Sequence, residues 1–235
     1  MIGFSQSLKR KKDSGWIPVI PDIKRISPKE GDLFRGRDPA DAAIRLEQLG
    51  APAISVVTEP KNFGGSIKLL EDVASAVSVP VLRKDFITDE DDLRRTKDSG
   101  AAAVLLICAC MPAVQMRKLY GIALRLSLEP LVETSTAEEL AEARRLGAKL
   151  IGVNNRNILS LERDDGSVSR TQELAAFVPR DALLVSESGI KTPEQARAAI
   201  EAGAGAVLVG TAIWKSGDIG GFYRAMCRGE SGRDE

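Results

Sequence analysis

Charged side chains stand at the ends of several short apolar segments in this chain of 235 residues. Asp22 and Lys24 end the first such segment, and Lys84 ends the third. Two carboxylates, Glu133 and Glu187, end later segments. Lysines and carboxylates that lie close together shift each other's pKa values and are suited to general acid–base chemistry. On spacing alone, the same pattern is also compatible with a ring of compensating salt bridges.

Two turns near the end of the chain are rich in small residues. They contain Ser188-Gly189 and Gly210-Thr211. Small residues expose backbone N–H groups, and a following helix adds the positive end of its dipole, so such turns are suited to phosphate. Tight turns can also need glycine for conformational reasons alone. The pair of turns predicts a site for an anionic small molecule.

The chain contains no histidine. This absence excludes Ser-His-Asp and Cys-His nucleophile systems and metal sites with histidine ligands. Acid–base chemistry must therefore use Lys, Asp, Glu, Tyr or Cys side chains. Lys plus Arg and Asp plus Glu both number 33, so the formal net charge is zero. A nucleic-acid partner is not expected, because such proteins usually carry a basic excess.

The cysteines and the N-terminus bear on the cellular compartment. No apolar segment is long enough to span a bilayer, and the basic N-terminus lacks the apolar core of a secretory signal. Cys108, Cys110 and Cys227 are too few and too unevenly placed for a disulfide framework. Cys108 and Cys110, within VLLICAC, are predicted to share one face of a strand as buried, reduced thiols. These features predict a cytoplasmic protein.

Eight short apolar segments must position the charged residues. Their near-continuous hydrophobicity is typical of parallel strands that helices cover. The predicted strands are 17–23, 53–58, 79–84, 102–107, 129–133, 150–154, 182–187 and 206–210.

Helix boundaries separate these predicted strands. Thr136 with Glu139, and Thr192 with Gln195, have the spacing of capping boxes. A glycine after each of four amphipathic segments predicts a left-handed residue beyond a helix end; these glycines are Gly50, Gly100, Gly147 and Gly203. Repeated strand–helix units of this kind predict an α/β fold, a (β/α)8 TIM barrel of eight parallel strands with outer helices.

A single barrel domain, residues 1–235, is expected, because no linker or low-complexity segment interrupts the chain. A doubly wound sheet is disfavoured, since its glycine fingerprint is absent after the first predicted strand. Alternate residues of a strand face the same side. Asp22 therefore shares a face with Ile20, and Lys84 shares a face with Leu82. If these apolar partners fill the barrel, the charged groups point into its mouth.

The strand regions also resemble those of the indole-3-glycerol phosphate synthase family. The matching motifs, in chain order, are IPDIKRISPKEGDL, SVVTEPKNFGGS, PVLRKDFI, AVLLI, PLVET, LIGVNNRNI, LVSESGI and AVLVGTAI. They span residues 17–213, nearly the whole chain. The resemblance implies a carboxy-lyase of tryptophan biosynthesis that acts on 1-(2-carboxyphenylamino)-1-deoxyribulose 5-phosphate. It closes the indole ring with loss of carbon dioxide and water, and needs neither cofactor nor metal.

The resemblance also implies roles for individual residues. Lys84 matches the general acid that protonates the ketone oxygen, and Lys24 matches the partner of the anthranilate carboxylate. Glu133 matches the carboxylate that transfers a proton in the later step. Asn154 and Glu187 match groups that hold the substrate and the lysines. Residues implied to bind the substrate and its phosphate are Ser27, Arg156, Ser188, Gly189, Gly210 and Thr211. Those implied to contact the aromatic ring are Phe63, Phe86, Ile107 and Leu208.

Two features depart from the family pattern. Asp22, a sixth expected catalytic residue, stands where the family usually has Glu. Only about sixteen residues precede the first predicted strand, whereas longer members carry an additional helix that partly covers the active site.

Two other functions remain compatible with the motifs. One is another phosphate-binding barrel, such as a phosphoribosylanthranilate isomerase, and the other is a non-catalytic metabolite-binding barrel. The isomerases do not need a lysine on both the first and third strands, so LRKDFI favours the synthase. The expected partner is a small phosphorylated substrate, with no nucleic acid or membrane. The sequence leaves open whether the protein is a monomer or acts in a complex with other tryptophan-pathway enzymes.

Overall fold

The computed structural model describes residues 2–156 and 167–230, and within them eight parallel strands form a closed barrel. Each barrel strand falls within or overlaps one predicted segment, so the predicted fold is confirmed. The strands are β1 (Val19–Ile23), β4 (Ile54–Val57), β5 (Val81–Lys84), β6 (Ala103–Ile107), β7 (Glu129–Thr134), β8 (Leu150–Asn154), β9 (Leu183–Glu187) and β10 (Ala206–Val209). Around the barrel the order is β1, β10, β9, β8, β7, β6, β5 and β4, and β1 pairs with both β10 and β4.

Helices follow the strands along the chain and cover the outside of the barrel. Two short antiparallel strands, β2 (Ile26–Ser27) and β3 (Gly31–Asp32), form a hairpin after β1. The helices are α1 (Phe4–Asp13), α2 (Pro39–Gln48), α3 (Pro60–Phe63), α4 (Ile67–Ala76), α5 (Glu90–Asp98), α6 (Ala113–Arg125), α7 (Ala137–Arg145), α8 (Ser169–Leu174), α9 (Pro193–Glu201), α10 (Thr211–Lys215) and α11 (Ile219–Arg228). Within the described residues, no helix is both long enough and apolar enough to cross a membrane.

Strand alternation divides the apolar residues into two cores. Ile20, Leu82, Leu131 and Val185 belong to a cluster that fills the inside of the barrel. Their outward-facing neighbours pack against the helices in a second, larger cluster. The prediction that the apolar partners of the charged residues face the interior is therefore confirmed.

The helix-boundary predictions are correct in most cases. Thr192 and Gln195 form a reciprocal capping box at the start of α9. At α7, Thr136 accepts a hydrogen bond from the Glu139 backbone N–H, but the Glu139 carboxylate accepts from Ser135 instead. That capping box is therefore only half formed, since the N–H and the hydroxyl of Ser135 both donate to Oε2 of Glu139. The four predicted glycines all have positive φ.

The cysteine prediction is wrong in its detail. Strand β6 ends at Ile107, and Cys108–Cys110 form one turn of 3-10 helix rather than a strand face. The chain must leave the barrel here to reach α6, so strand alternation stops. Cys108 and Cys110 are half-buried and only Cys227 is buried, all as free thiols. Burial, with a smaller effect of nearby glutamates, raises the pKa of Cys108 to about 12.

The N-terminal helix closes the amino end of the barrel. Phe4 and Leu8 of α1 are fully buried and belong to the cluster inside the barrel. The backbone N–H of Ser5 donates to Oε2 of Glu129, the first residue of β7, at 3.0 Å. All the parallel strands begin at this end of the barrel. Helix α1 therefore lies at the end opposite to the predicted charged residues, which follow the carboxyl ends of the strands.

Candidate active site

A cavity of about 490 Å³ opens at the carboxyl ends of the strands, which is within the usual size range of ligand sites. Most of the predicted site residues line it: Asp22, Lys24, Phe63, Lys84, Phe86, Ile107, Asn154, Arg156, Ser188, Gly189, Leu208, Gly210 and Thr211. Glu133, Glu187 and Ser27 do not line it, and each is buried. The expectation that the charged groups all point into the mouth is thus wrong for the two glutamates, which lie below its surface.

Lys84 and Glu133 form the central charge pair of the site. Lys84 ends β5, and its Nζ lies 3.8 Å from Oε2 of the buried Glu133 carboxylate on β7. The other oxygen, Oε1, accepts a hydrogen bond of 3.1 Å from Nδ2 of Asn154 on β8. Strand ends that are distant in sequence therefore place an ammonium group above an oriented carboxylate, an arrangement that can move protons.

Asp22 and Lys24 approach the cavity from β1. Asp22 Oδ1 accepts a hydrogen bond of 2.7 Å from the hydroxyl of Ser55, which lies opposite it on β4. The Asp22 backbone carbonyl accepts from Nε1 of Trp214, also at 2.7 Å. Lys24 Nζ lies 5.7 Å from the centre of the Phe63 ring, within the range of a cation–π contact. Both ionisable side chains are thus held in place while they line the cavity.

Glu187 is the most deeply buried ionisable group of the site. It has no exposed surface, and neither carboxyl oxygen has a hydrogen-bond partner among the described residues. Burial raises the pKa of Glu187 well above its ordinary value, and the nearby charge of Glu133 adds to the effect, while Lys84 opposes it. A raised pKa favours the protonated carboxyl at neutral pH.

Backbone turns and further cations also line the cavity. Ser188 and Gly189 have successive left-handed conformations, with φ of 63° and 74°, so the chain turns sharply directly after β9. Gly210 precedes α10. Four cationic side chains line the cavity with these turns: Lys29, Arg156, Lys191 and Lys215. Among the described residues, no cluster of His, Cys, Asp and Glu side chains is arranged to hold a metal ion.

The family profile described as indole-3-glycerol phosphate synthase matches residues 1–226. The chain belongs to this family. An indole-3-glycerol phosphate synthase of Pyrococcus abyssi is 41% identical over 218 residues, with 93% of each chain covered. That of Oceanobacillus iheyensis is 42% identical over 204 residues, which cover 86% of this chain and 77% of the relative.

Two further comparisons concern a larger relative and a solved structure. A multifunctional tryptophan biosynthesis protein of Schizosaccharomyces pombe is 40% identical over 232 residues, which are 96% of this chain and 29% of that protein. Among solved structures, an N-acetylmannosamine-6-phosphate 2-epimerase from Clostridium perfringens aligns with a TM-score of 0.67 at 16% identity, over 83% of this chain and 86% of that one. At this identity the likeness concerns the fold alone.

Apolar side chains line part of the synthase cavity. They are Val57, Phe63, Phe86, Leu105, Ile107, Leu208 and Phe222. Phe63 is positioned by α3, where the Glu59 carboxylate accepts hydrogen bonds from three backbone N–H groups, including that of Phe63 at 3.1 Å. Apolar side chains of this kind are suited to an aromatic ring that lies beside charged groups.

Sequence reasoning missed several residues of this synthase site. Ser55 was not recognised, because a single serine in an apolar strand carries no sign of its partner. Lys29 and Lys191 lie in loops beyond the strand ends and Lys215 is the last residue of α10, so the pattern of strand ends does not identify them. Arg83 faces outward and its buried guanidinium bonds to Thr58, Asp85, Asp92 and Thr96; its place beside Lys84 in LRKDF was the available signal.

Proposed function

We propose that this chain is an indole-3-glycerol phosphate synthase that converts 1-(2-carboxyphenylamino)-1-deoxyribulose 5-phosphate into indole-3-glycerol phosphate, carbon dioxide and water. The observation that carries the proposal is the meeting of two lysines, Lys84 at the end of β5 and Lys24 directly after β1, in one cavity that apolar side chains also line. A substrate with an aromatic ring, a carboxylate and a phosphate needs all of these surfaces. Membership in the family supports the same reaction.

Lys84 acts as the general acid of ring closure in this proposal. As the aromatic carbon that bears the carboxylate attacks the ketone carbon, a C–C bond forms and the carbonyl π pair moves to oxygen. Lys84 donates its proton to that oxygen and leaves a hydroxyl on the new ring. Loss of carbon dioxide then returns the electron pair of its C–C bond to the ring and restores aromaticity.

Lys24 and Glu133 serve the other parts of the reaction. Lys24 pairs with the anthranilate carboxylate until it departs, and then assists the hydroxyl to leave as water. The carboxylate of Glu133 takes up the proton that the ring loses in this dehydration, transferred through Lys84, which lies 3.8 Å from it. Asn154 holds Glu133 through its hydrogen bond, while Asp22 balances the charge of the lysines.

The remaining predicted residues bind the two ends of the substrate. The phosphate lies at the turns of Ser188, Gly189, Gly210 and Thr211, with Arg156 and the neighbouring lysines to balance its charge. Ser27, in the hairpin that follows β1, supports this end of the site. The aromatic ring lies against Phe63, Phe86, Ile107 and Leu208. Two anchored ends fix the distance between the reacting carbons, which lowers the entropic part of the barrier.

One chain supplies every residue named in this mechanism, so we propose that the single domain, residues 1–235, is active as a monomer. Association with other tryptophan-pathway enzymes would not be needed for turnover. Cytoplasmic location is part of the proposal, because the three cysteines are free thiols and thiols persist in a reducing compartment.

A direct assay tests the proposed function. The purified chain is incubated with the carboxyphenylamino-deoxyribulose phosphate, and indole product is followed by fluorescence while carbon dioxide is measured in parallel. The two products should appear in equal amounts. Saturating substrate without either product would overturn the proposal, whereas carbon dioxide without indole product would place the defect in dehydration.

A further inference from the structure

Gly152 has no side chain, and this leaves a space, here called the slot, in the inner wall of the barrel. It lies in the middle of β8, with Glu133 of β7 as its partner on one side and Val185 of β9 on the other. A Cβ atom at position 152 would lie 2.0 Å from Oε1 and 3.2 Å from Cδ of Glu187, and 3.5 Å from Cα of Glu133. The Glu187 carboxyl therefore occupies the space of the missing side chain.

This slot explains why Glu187 lies below the cavity. Glu187 is paired in register with Asn154, which lies two residues nearer the mouth than Gly152. Its side chain folds back towards the barrel interior, so it has no exposed surface and does not line the cavity. A side chain at position 152 would block that path.

Three carboxyl oxygens in this region lack a hydrogen-bond partner among the described residues. They are both oxygens of Glu187 and Oε2 of Glu133. Buried polar atoms are nearly always paired, and two carboxylates cannot pair with each other because neither has a proton to donate. One added proton would supply that donor. Both glutamates adjoin the space beside Gly152, where a Cβ atom would meet Oε1 of Glu187 and Cα of Glu133.

The surrounding charges favour placing this proton on Glu187. The ionisable groups that face it are Glu133 on β7, Lys84 on β5 and Asp22 on β1. The adjacent strands β8 and β10 present Gly152 and Leu208, which do not titrate. Glu133 is already the acceptor of Asn154 and the ion-pair partner of Lys84, so the negative charge is better stabilised there.

We infer that Gly152 is a positioning residue, whose missing side chain admits Glu187 beside Glu133 as a neutral acid that donates its O–H to Oε2 of Glu133. The inference deepens the proposed function and rests on it for its catalytic consequence. With Glu187 neutral, only Glu133 of these two buried glutamates carries a negative charge near Lys84. A second charge would stabilise the ammonium form of Lys84 and make it a weaker acid for ring closure.

The protonation of Glu187 can be measured without turnover. The chain is labelled with 13C at the glutamate side-chain carboxyls and titrated by NMR, and the Glu187 signal is assigned from its loss in Glu187→Gln. We expect the chemical shift of a protonated carboxyl at pH 7, with its ionisation well above that of exposed glutamates. An ionised signal at pH 7 overturns the inference, whether or not the protein proves to be a synthase.

Gly152→Ala tests the role of the slot. The methyl group should push Glu187 towards the cavity, where it ionises, so its NMR transition should move to lower pH. We expect kcat to fall on the order of 10²-fold with a much smaller change in KM, because the geometry of reacting groups is altered while the substrate-binding ends are intact. Gly205→Ala is the matched control, since the nearest atoms to its Cβ would be those of the Leu183 side chain, from 3.0 Å, and the Leu184 carbonyl oxygen, at the amino end of the barrel.

A double-mutant cycle separates this role from general damage to the barrel. If Gly152 acts through Glu187, adding Gly152→Ala to Glu187→Ala should lower kcat little further, because the carboxyl that alanine would displace is already absent. The inference is overturned if the losses in kcat of the two single variants multiply in the double variant. It is also overturned if Gly152→Ala has the same kcat and the same Glu187 ionisation as the parent protein. If Gly152→Ala fails to fold, the NMR titration of the parent protein still decides the protonation. Absence of synthase activity in the parent would refute the proposed function and leave the NMR result standing.

Discussion

Individual charges in the site are held at different depths, and their depth determines what each can do. Lys84 reaches the cavity, whereas Glu133 lies beneath it and is oriented by Asn154. Glu187 lies deeper still, where burial raises its pKa. Lys84 can thus contact the substrate, whereas the carboxylate of Glu133 beneath it cannot. Substitutions of single residues can therefore separate contact with the substrate from control of charge.

Replacement of Lys84 should stop the chemistry and preserve the fold. In Lys84→Met the general acid is lost while the length of the side chain is kept, so kcat should fall on the order of 10²–10⁴-fold. The measurement is steady-state turnover together with circular dichroism. Lys118→Met, an exposed lysine on α6, serves as the control and should retain full activity. Turnover like that of the parent in Lys84→Met would refute the assignment of the acid.

Asp22 offers a test of charge at nearly constant geometry. In Asp22→Asn the side-chain oxygen can still accept the hydrogen bond of Ser55, but the negative charge near the lysines is lost. We expect kcat to fall, on the order of 10²-fold. Asp22→Glu keeps the charge and should be at least as active as the parent.

Ser55→Ala provides the complementary change for Asp22, since it removes the hydrogen-bond donor and keeps the carboxylate. Values of kcat and KM for the three variants distinguish charge from position. Full activity in Asp22→Asn would show that the carboxylate has no catalytic role. An inactive Asp22→Glu would show that the site is packed around the shorter side chain.

At the scale of secondary structure, the two ends of the barrel have different tasks. The strands end in the cavity, and their amino ends are closed by α1, whose Phe4 and Leu8 pack inside the barrel. In barrels of this kind, residues at the amino end contribute to stability and those at the carboxyl end to activity. Helix α1 therefore excludes bulk solvent from the amino end of the barrel and does not line the cavity.

Shortening the buried Phe4 side chain of α1 should lower the stability of the fold and leave the kinetics unchanged. Phe4→Ala removes a fully buried aromatic ring, which typically lowers the free energy of unfolding by about 3–5 kcal/mol. Denaturant unfolding measures this loss, and kcat and KM of the folded fraction should be unchanged. Gln6→Ala, an exposed position on the same helix, should change stability by no more than about 0.5 kcal/mol. A large rise in KM in Phe4→Ala would show that α1 communicates with the cavity.

At the scale of the whole molecule, segments from nearly the entire chain line one cavity, and the described lining residues include members of seven of the eight barrel strands or of the turns directly after them. Lys24 directly follows the first barrel strand, and Thr211 follows the last. A ligand in the cavity therefore connects elements that close the barrel. Binding energy at the site should appear as stability of the entire fold, since only the folded barrel assembles the site.

Inorganic phosphate should stabilise the folded chain through this site. At a concentration about 100 times its Kd, a ligand that binds only the folded state adds about 2.7 kcal/mol of stability. We expect phosphate or sulfate to raise Tm and to inhibit turnover competitively, while chloride at equal ionic strength does neither. Density for the anion at Gly189 and Gly210 in a soaked crystal would locate it. No rise in Tm and no competition would refute a phosphate site at these turns.

The strands, several helix boundaries and half of the described residues that line the cavity follow from the sequence. Strand ends were recognisable because an apolar run stops at a charged residue, as at Lys84, and alternation then predicts which side chains face inward. The capping box of Thr192 and Gln195 is equally local, since both partners lie within one turn of helix. Patterns of this kind depend only on neighbours along the chain, and the barrel fold and family motifs could therefore be identified without coordinates.

Tertiary structure alone decided how deep each side chain lies. Glu133 and Glu187 resemble Lys84 in sequence, as charges at strand ends, yet both are buried below the cavity. The reason is the register between strands: Gly152 lies beside Glu133 and opens the space that Glu187 fills. The partnership of Asp22 with Ser55 has the same origin. Depth depends on the size and position of side chains from other strands, and closure of the barrel sets both.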